Sequence, residues 1–205
     1  MRAIVLHEHG GPEVLRLEEA RDPEPGDGEL LVHVEAAGVN HFDLNQRARG
    51  ATLPAILGVD AAGWVEEDEA KRRVLVTGAR GAYAELTIAP ADKVFEISAA
   101  VSAPVAAAIG VPYRTAWWSI VDLGGLEKGS RLLVQAGSSA TGQACIDIGH
   151  ALGATVYATA SARKLGMRTL PGRKATGRRG RFPLFLLVHP ARGGDRRGPQ
   201  TGGRR

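Results

Sequence analysis

The sequence predicts an α/β chain: a β-rich, barrel-like first domain followed by an incomplete, doubly wound parallel sheet. Three observations carry that reading. Short strand candidates separated by Gly and Pro turns fill the chain up to about Ser98. Helical character takes over from Ser102. A strand, a Gly/Ser loop, a helix and a second strand then follow in close order between Arg131 and Ala160.

The first strands are expected at Arg2 to Leu6, Glu13 to Leu17 and Leu30 to Ala36. In the third, Leu30, Val32, Val34 and Ala36 alternate with His33 and Glu35, so one face is buried and the other wet. Pro23, Pro25, Gly26, Asp27 and Gly28 supply the turn before it. Further strands are expected at Arg73 to Thr77, Tyr83 to Ile88 and Lys93 to Ile97. Ser102 caps a helix through the alanine run Ala103 to Ala108, and Tyr113 to Asp122 forms a second helix stopped by Gly124 and Gly125. Arg131 to Gln135 is an apolar strand, Ala136 to Gly142 a tight loop, Gln143 to Leu152 a helix and Thr155 to Ala160 a strand. From about Gly166 only an apolar island at Phe182 to Val188 interrupts an Arg/Gly/Pro-rich tail without helix or strand period. The domains are therefore placed at 1–122, 123–165 and, as a disordered basic tail, 166–205.

A hydrophobic content of 44% supports a buried core. Apolar runs are too broken to span a membrane, no signal-peptide pattern opens the chain, and one cysteine, Cys145, excludes an internal disulfide, so a cytoplasmic location is expected. The overall charge of +4 misleads. Residues 1–162 hold 13 Lys and Arg against 21 Asp and Glu, whereas 163–205 hold 13 against Asp195 alone. The basic character belongs to the tail, and without aromatic residues spaced among its cations nucleic acid is not the expected partner.

The loop Gly137-Ser138-Ser139-Ala140-Thr141-Gly142 matches the dinucleotide fingerprint Gly-x-Gly-x-x-Gly, with serine at the second glycine. In that pattern the first glycine permits the turn, a small middle residue admits the pyrophosphate, the last glycine lets the helix pack closely, and the helix N-terminus faces phosphate. No carboxylate follows Thr159 to hold a 2′-hydroxyl. Ser161, Arg163 and Lys164 stand there instead, and the two cations suit the 2′-phosphate of NADPH. The alternative is that they merely begin the tail.

Five further segments occur in order: Gly10-Gly11-Pro12-Glu13-Val14-Leu15, Gly38-Val39-Asn40-His41-Phe42-Asp43, Leu57-Gly58-Val59-Asp60-Ala61-Ala62-Gly63, Gly81-Ala82-Tyr83-Ala84-Glu85 and Thr115-Ala116-Trp117. With the nucleotide loop they resemble the quinone oxidoreductase, or zeta-crystallin, branch of the medium-chain dehydrogenase/reductase superfamily, from Met1 to about Leu165. The resemblance implies a GroES-like barrel followed by a Rossmann domain. It also implies hydrogen bonding by Asn40 beside the nicotinamide, support from Asp43, and a carboxamide contact from Thr115.

Zinc-dependent members have Cys at the place of Asn40 and His-Glu at Val59-Asp60, and the third-ligand region near Ala106 to Gly110 is apolar here, so no metal is expected. His41 and Asp43 are read as a polar helix start and Cys145 as a small core residue. Without a Lewis acid the tractable chemistry is hydride transfer to an activated acceptor, a quinone or an α,β-unsaturated carbonyl compound. Asn45 stands where many relatives carry tyrosine, which leaves the proton donor unassigned. Trp117 and Trp118 are expected in the core rather than lining a pocket.

Trp64 to Arg73 reads as a short, charged loop replacing a longer family segment. Two strands in place of about six make the second domain incomplete, as truncation or a change of reading frame would leave it. The alternatives to an active oxidoreductase are a nucleotide-holding module without turnover and a nucleic-acid-binding tail, and a homodimer is left open.

Overall fold

The structure is a computed structural model that describes residues 1–67, 70–161 and 186–189. The chain divides into two compact units, Met1–Arg114 and Thr115–Arg205.

In the first unit, β1 (Arg2–Leu6) pairs antiparallel with β2 (Leu15–Glu19) and with the short β4 (Ala55–Ile56). A five-stranded antiparallel sheet runs in the order β7 (Leu86–Pro90), β3 (Glu29–Gly38), β5 (Asp60–Glu67), β6 (Ala70–Thr77), β8 (Val94–Glu96). A bridge from Ala3 to Ala84 joins the two sheets, which gives the barrel-like character expected from the strand pattern. The core of the five-stranded sheet is aliphatic, with Val32, Ala61, Val65, Val74, Val76 and Ala89 among its buried residues, and Leu6, Val14 and Leu57 form a second cluster beside β1. Along β3 the alternation holds in part, Val32 buried and Glu35 exposed. His33 does not simply face water: its ring stacks on Trp64 at 3.6 Å.

Several expected boundaries shift for local reasons. Pro12 starts a 3₁₀ turn, Pro12–Val14, so the second strand begins at Leu15 rather than Glu13. Tyr83 and Ala84 bond to β1 instead of extending β7, through the Ile4 N–H to the Tyr83 carbonyl at 2.8 Å. The stretch Trp64 to Arg73 is not a loop. Its flanks are strand, paired in register from Trp64 with Arg73 to Glu67 with Ala70. Small and acidic residues hide β5 from a propensity reading, whereas Val65 is almost fully buried and anchors it.

The register of β3 against β5 jumps between Val34 and Ala36, leaving Glu35 as a bulge opposite Gly63. The bulge presses the His33 carbonyl against Gly63, where any Cβ would collide with it. Glycine is therefore required there.

Three helical segments complete this unit or begin in it. α1 (His41–Asn45) runs into a π-helical turn, Gln46–Gly50. α2 (Ala103–Ala107) follows Ser102, whose carbonyl accepts from the Ala106 N–H at 3.0 Å, and packs Ala103, Ala106 and Ala107 against Ala62. α3 (Gly110–Trp117) tolerates Pro112 in its first turn, where no intrahelical N–H is needed, and continues as a π-helical turn, Trp118–Asp122. Trp117 and Trp118 are 47% and 57% exposed, which corrects the expectation that they are core residues.

In the second unit β9 (Arg131–Val134), α4 (Ala140–Ala151) and β10 (Thr155–Ala158) form the expected βαβ unit, with β10 parallel to β9. The helix starts at Ala140, three residues earlier than the sequence suggests, because Ser139 caps it. A further strand, β11 (Leu186–His189), overlaps the end of the apolar island and pairs antiparallel with the other edge of β9. That corrects the reading of 166–205 as wholly without regular structure: an unpaired strand edge offers backbone donors and acceptors that a short apolar segment can satisfy. The rest of that tail lies outside the described residues.

Replacing Gly63 by valine is expected to destabilise the chain by about 1–3 kcal/mol, because the His33 carbonyl must move and the bulge with it. Urea unfolding checks this, and an unchanged midpoint would contradict the fixed bulge.

Candidate functional site

The segment after β3 builds a buried polar cluster. Asn40 is the N-cap of α1, and its backbone N–H donates to Asp43 Oδ2 at 2.7 Å. The reciprocal contact of a capping box, from the Asp43 N–H to the Asn40 side chain, is present in looser geometry. Asp43 is 3% exposed. Burial raises its carboxyl pKa above the ordinary 3.8, against the lowering effect of the Asn40 N–H.

Asp60, at the start of β5, is fully buried and holds the cluster together. Its Oδ2 accepts from Asn40 Nδ2 at 2.8 Å and from the Val111 N–H, in the first turn of α3, also at 2.8 Å. Its Oδ1 is buried without a hydrogen-bond partner. Room for this carboxylate depends on two glycines: a Cβ on Gly110 would collide with it, and one on Gly38 would meet its Cβ at 2.9 Å. Tyr83 adds a hydroxyl beside Asp43, in an interaction outside strict hydrogen-bond geometry. Burial first, and then the Asp43 charge, raises the Tyr83 pKa well above 10.0.

Asn40 and Asp43 are thus brought together, whereas of the expected polar helix start, His41 and Asp43, only Asp43 is buried. Asp60 and Tyr83, which lie in family segments but carry no role expected from the sequence, join them. A lone carboxylate inside the apolar run Leu57 to Ala62 is the available signal, since a buried charge demands partners. His41 and Asn45 are exposed. Among the described residues no group of three His, Cys, Asp or Glu side chains comes together.

Thr115 is exposed on α3, its carbonyl accepting from the Ser119 hydroxyl at 2.7 Å. It belongs to the second unit.

The loop of that second unit is shaped differently from the simple fingerprint. Ala136, not Gly137, takes the left-handed backbone conformation of the turn, at φ 54°. Gly137 is needed for packing instead: a Cβ there would meet Ala158 Cβ at 2.8 Å and Ile146 Cδ1 at 3.1 Å. A Cβ on Gly142 would run into the Ala136 carbonyl, and one on Gly149 would meet Val156 Cγ2 at 2.8 Å. These glycines bring α4 close to β9 and β10, the role expected of the last fingerprint glycine. Ser139, the residue replacing the middle glycine, accepts from the Gly142 N–H at 3.1 Å. The Ala140 and Thr141 N–H groups, in the first turn of α4, have no intrahelical acceptor. Ser138 lies in the loop itself and Ser161 is exposed beyond β10. Arg163 and Lys164 lie outside the described residues. Cys145 is buried in α4, and burial raises its thiol pKa, in keeping with a core residue.

No helix among the described residues is long and apolar enough to cross a membrane.

A raised Asp43 pKa means that the folded state holds this proton more tightly than the unfolded chain. Its contribution to stability is therefore fullest below 3.8 and is lost as pH rises through the elevated folded-state value. Asp43→Asn is expected to remove that part of the slope when melting temperature is followed against pH. Parallel curves for the two proteins would contradict it.

Residues 26–99 match the alcohol dehydrogenase GroES-like domain. A quinone oxidoreductase of Pongo abelii is 33% identical over 173 residues, covering 78% of this chain and 53% of that protein. The human synaptic vesicle membrane protein VAT-1 homolog is 32% identical over 178 residues, covering 80% of this chain and 45% of its own length. Among solved structures, the quinone oxidoreductase of Thermus thermophilus, determined also as its complex with NADPH, superposes with a TM-score of 0.75 at 31% identity, over 86% of this chain and 59% of that one. The Escherichia coli quinone oxidoreductase complexed with NADPH gives 0.72 at 30% identity, over 80% and 54%. The chain spans about half the length of the curated relatives it matches. With an alcohol dehydrogenase GroES-like domain in its first unit and a parallel βαβ unit later in the chain, the chain is similar over about four-fifths of its length to quinone oxidoreductases of the medium-chain dehydrogenase/reductase superfamily.

Proposed function

We propose that the chain is an NADPH-dependent, zinc-independent oxidoreductase acting on a quinone or an α,β-unsaturated carbonyl compound. The observation that carries this reading is the donor chemistry around Asn40: an amide tied to a buried carboxylate occupies the place of a zinc-binding thiolate. Val59 offers no imidazole beside it. An amide and an aliphatic side chain give a catalytic zinc too few ligands.

The second unit supports a dinucleotide reading. Gly137 and Gly142 let α4 pack close to its strands and loop, where a Cβ would meet Ala158 or the Ala136 carbonyl, and the first-turn N–H groups of Ala140 and Thr141 have no intrahelical acceptor. Residues 137–142 would hold the pyrophosphate, Ser161, Arg163 and Lys164 the 2′-phosphate. NADPH, when bound, supplies a hydride equivalent to an acceptor already activated for addition. The role of Asn40 is to donate a hydrogen bond from a fixed amide, that of Asp43 is to hold the backbone of Asn40, and that of Thr115 is to contact the carboxamide. Exposed Val39 and Phe42 flank Asn40 and offer apolar surface to a flat acceptor.

The antiparallel β11 favours a second reading, a nucleotide-holding unit without turnover, because a doubly wound sheet would place a parallel strand beside β9. One experiment separates the two. NADPH oxidation with a benzoquinone acceptor supports the oxidoreductase reading, and nucleotide binding without oxidation supports the second. By calorimetry NADPH is expected to bind about tenfold more tightly than NADH, the value of a partly shielded phosphate pair. A zinc chelator is expected to leave any turnover unchanged. Equal nucleotide affinities, or activity lost with a tightly held zinc, would overturn these assignments.

A further inference from the structure

We infer that Asp60 is a positioning residue: its buried carboxylate fixes which edge of the Asn40 amide is held inward and leaves an N–H donor to face a ligand oxygen. The value of that donor to a ligand rests on the oxidoreductase reading, but the orientation itself does not.

A terminal amide has an acceptor edge and a donor edge of nearly equal shape, so packing alone leaves its sense open. Here chemistry closes it. Ionised, the Asp60 carboxylate only accepts, and Oδ2 lies 2.8 Å from the Asn40 Nδ2, so the donor edge must face it. The Asp43 N–H also contacts the Asn40 side chain and can only donate, so the carbonyl edge must face that group. Both neighbours demand the same sense. One of the two Nδ2 hydrogens is then taken by Asp60 and the second stays available.

Asp60 cannot yield by rotating. Its Oδ2 is also held by the Val111 N–H at 2.8 Å, and its other oxygen is packed against Gly110. The carboxylate is thus clamped to the first turn of α3 and transmits that position to Asn40. A flipped amide would set its carbonyl oxygen against a fully buried carboxylate, acceptor to acceptor, which is strongly disfavoured. The arrangement selects a ligand that presents an acceptor oxygen, such as a carbonyl, over one that presents only a donor.

The test uses the whole chain labelled with ¹⁵N-asparagine. The sequence contains only Asn40 and Asn45, so Asn40→Ala assigns the two side-chain amides at once. Asn45 is exposed and serves as the internal reference. The two protons of a primary amide differ in shift in any case, so the inequality of Asn40 is read against that of Asn45. One Asn40 proton is expected to lie further downfield than either proton of Asn45 and to exchange with water at least about tenfold more slowly than its partner, the signature of a single charge-assisted bond. Asp60→Ala is expected to reduce both differences to the Asn45 values while backbone amides stay dispersed. Burial alone would slow both protons together. A wild-type Asn40 pair no more unequal than that of Asn45, or an excess inequality that survives Asp60→Ala, would overturn the proposal. If Asp60→Ala does not fold, the wild-type comparison decides it alone. None of these readings depends on nucleotide binding or turnover.

Discussion

A carboxylate without solvent must find donors, and the first unit is arranged around that requirement. Asp60 is fully buried at the head of β5, where an unpaired charge would be among the most costly features a small domain could carry. It is tolerated because Asn40 and the Val111 N–H both donate to it. Those two groups come from separate parts of the chain, the end of β3 and the start of α3. The ion therefore joins sheet to helix, and glycines at 38 and 110 are needed for the backbone to come close enough. A hydrophobic residue of similar volume could fill the space but would leave the Val111 N–H and the Asn40 amide without acceptors, the more damaging half of a broken buried pair.

The second unit solves a different problem, bringing a helix start near a strand end without blocking it. Three glycines do this by their lack of a side chain rather than by unusual backbone angles, and the left-handed residue of the turn is an alanine, Ala136. Ser139 satisfies one N–H of the helix start and leaves two. Serine at this point of the fingerprint is thus a cap as well as a small residue, so the departure from glycine leaves the first-turn N–H groups of Ala140 and Thr141 uncapped.

Much of this is legible in the sequence, and the failures have physical causes. The βαβ unit is readable because apolar strands, small-residue loop and apolar helix occur at fixed spacing, and family motifs place Asn40 and Asp43 together. Strand β5 is obscured by Asp60, Gly63 and its acidic end, all poor strand formers that tertiary pairing overrides. A core position for Trp117 and Trp118 follows from residue type alone, although the helix exposes both. The hydrogen bond from Asn40 to Asp60 spans 20 residues and cannot be read from local pattern. The sequence marks Asp60 only by what it replaces, not by what it holds. β11 escapes a local reading because its partner is an open strand edge some fifty residues earlier, and periodicity does not register such pairing.

Everything said of Asn40 depends on its coupling to Asp60, and a double-mutant cycle in equilibrium unfolding measures that coupling directly. Asn40→Ala, Asp60→Asn and the double variant should give a coupling energy of about 1.5–3 kcal/mol, as a buried hydrogen bond to a charged group provides. Additivity to within about 0.5 kcal/mol would mean that the two side chains are neighbours without being partners, and the organising role given to Asp60 would fail.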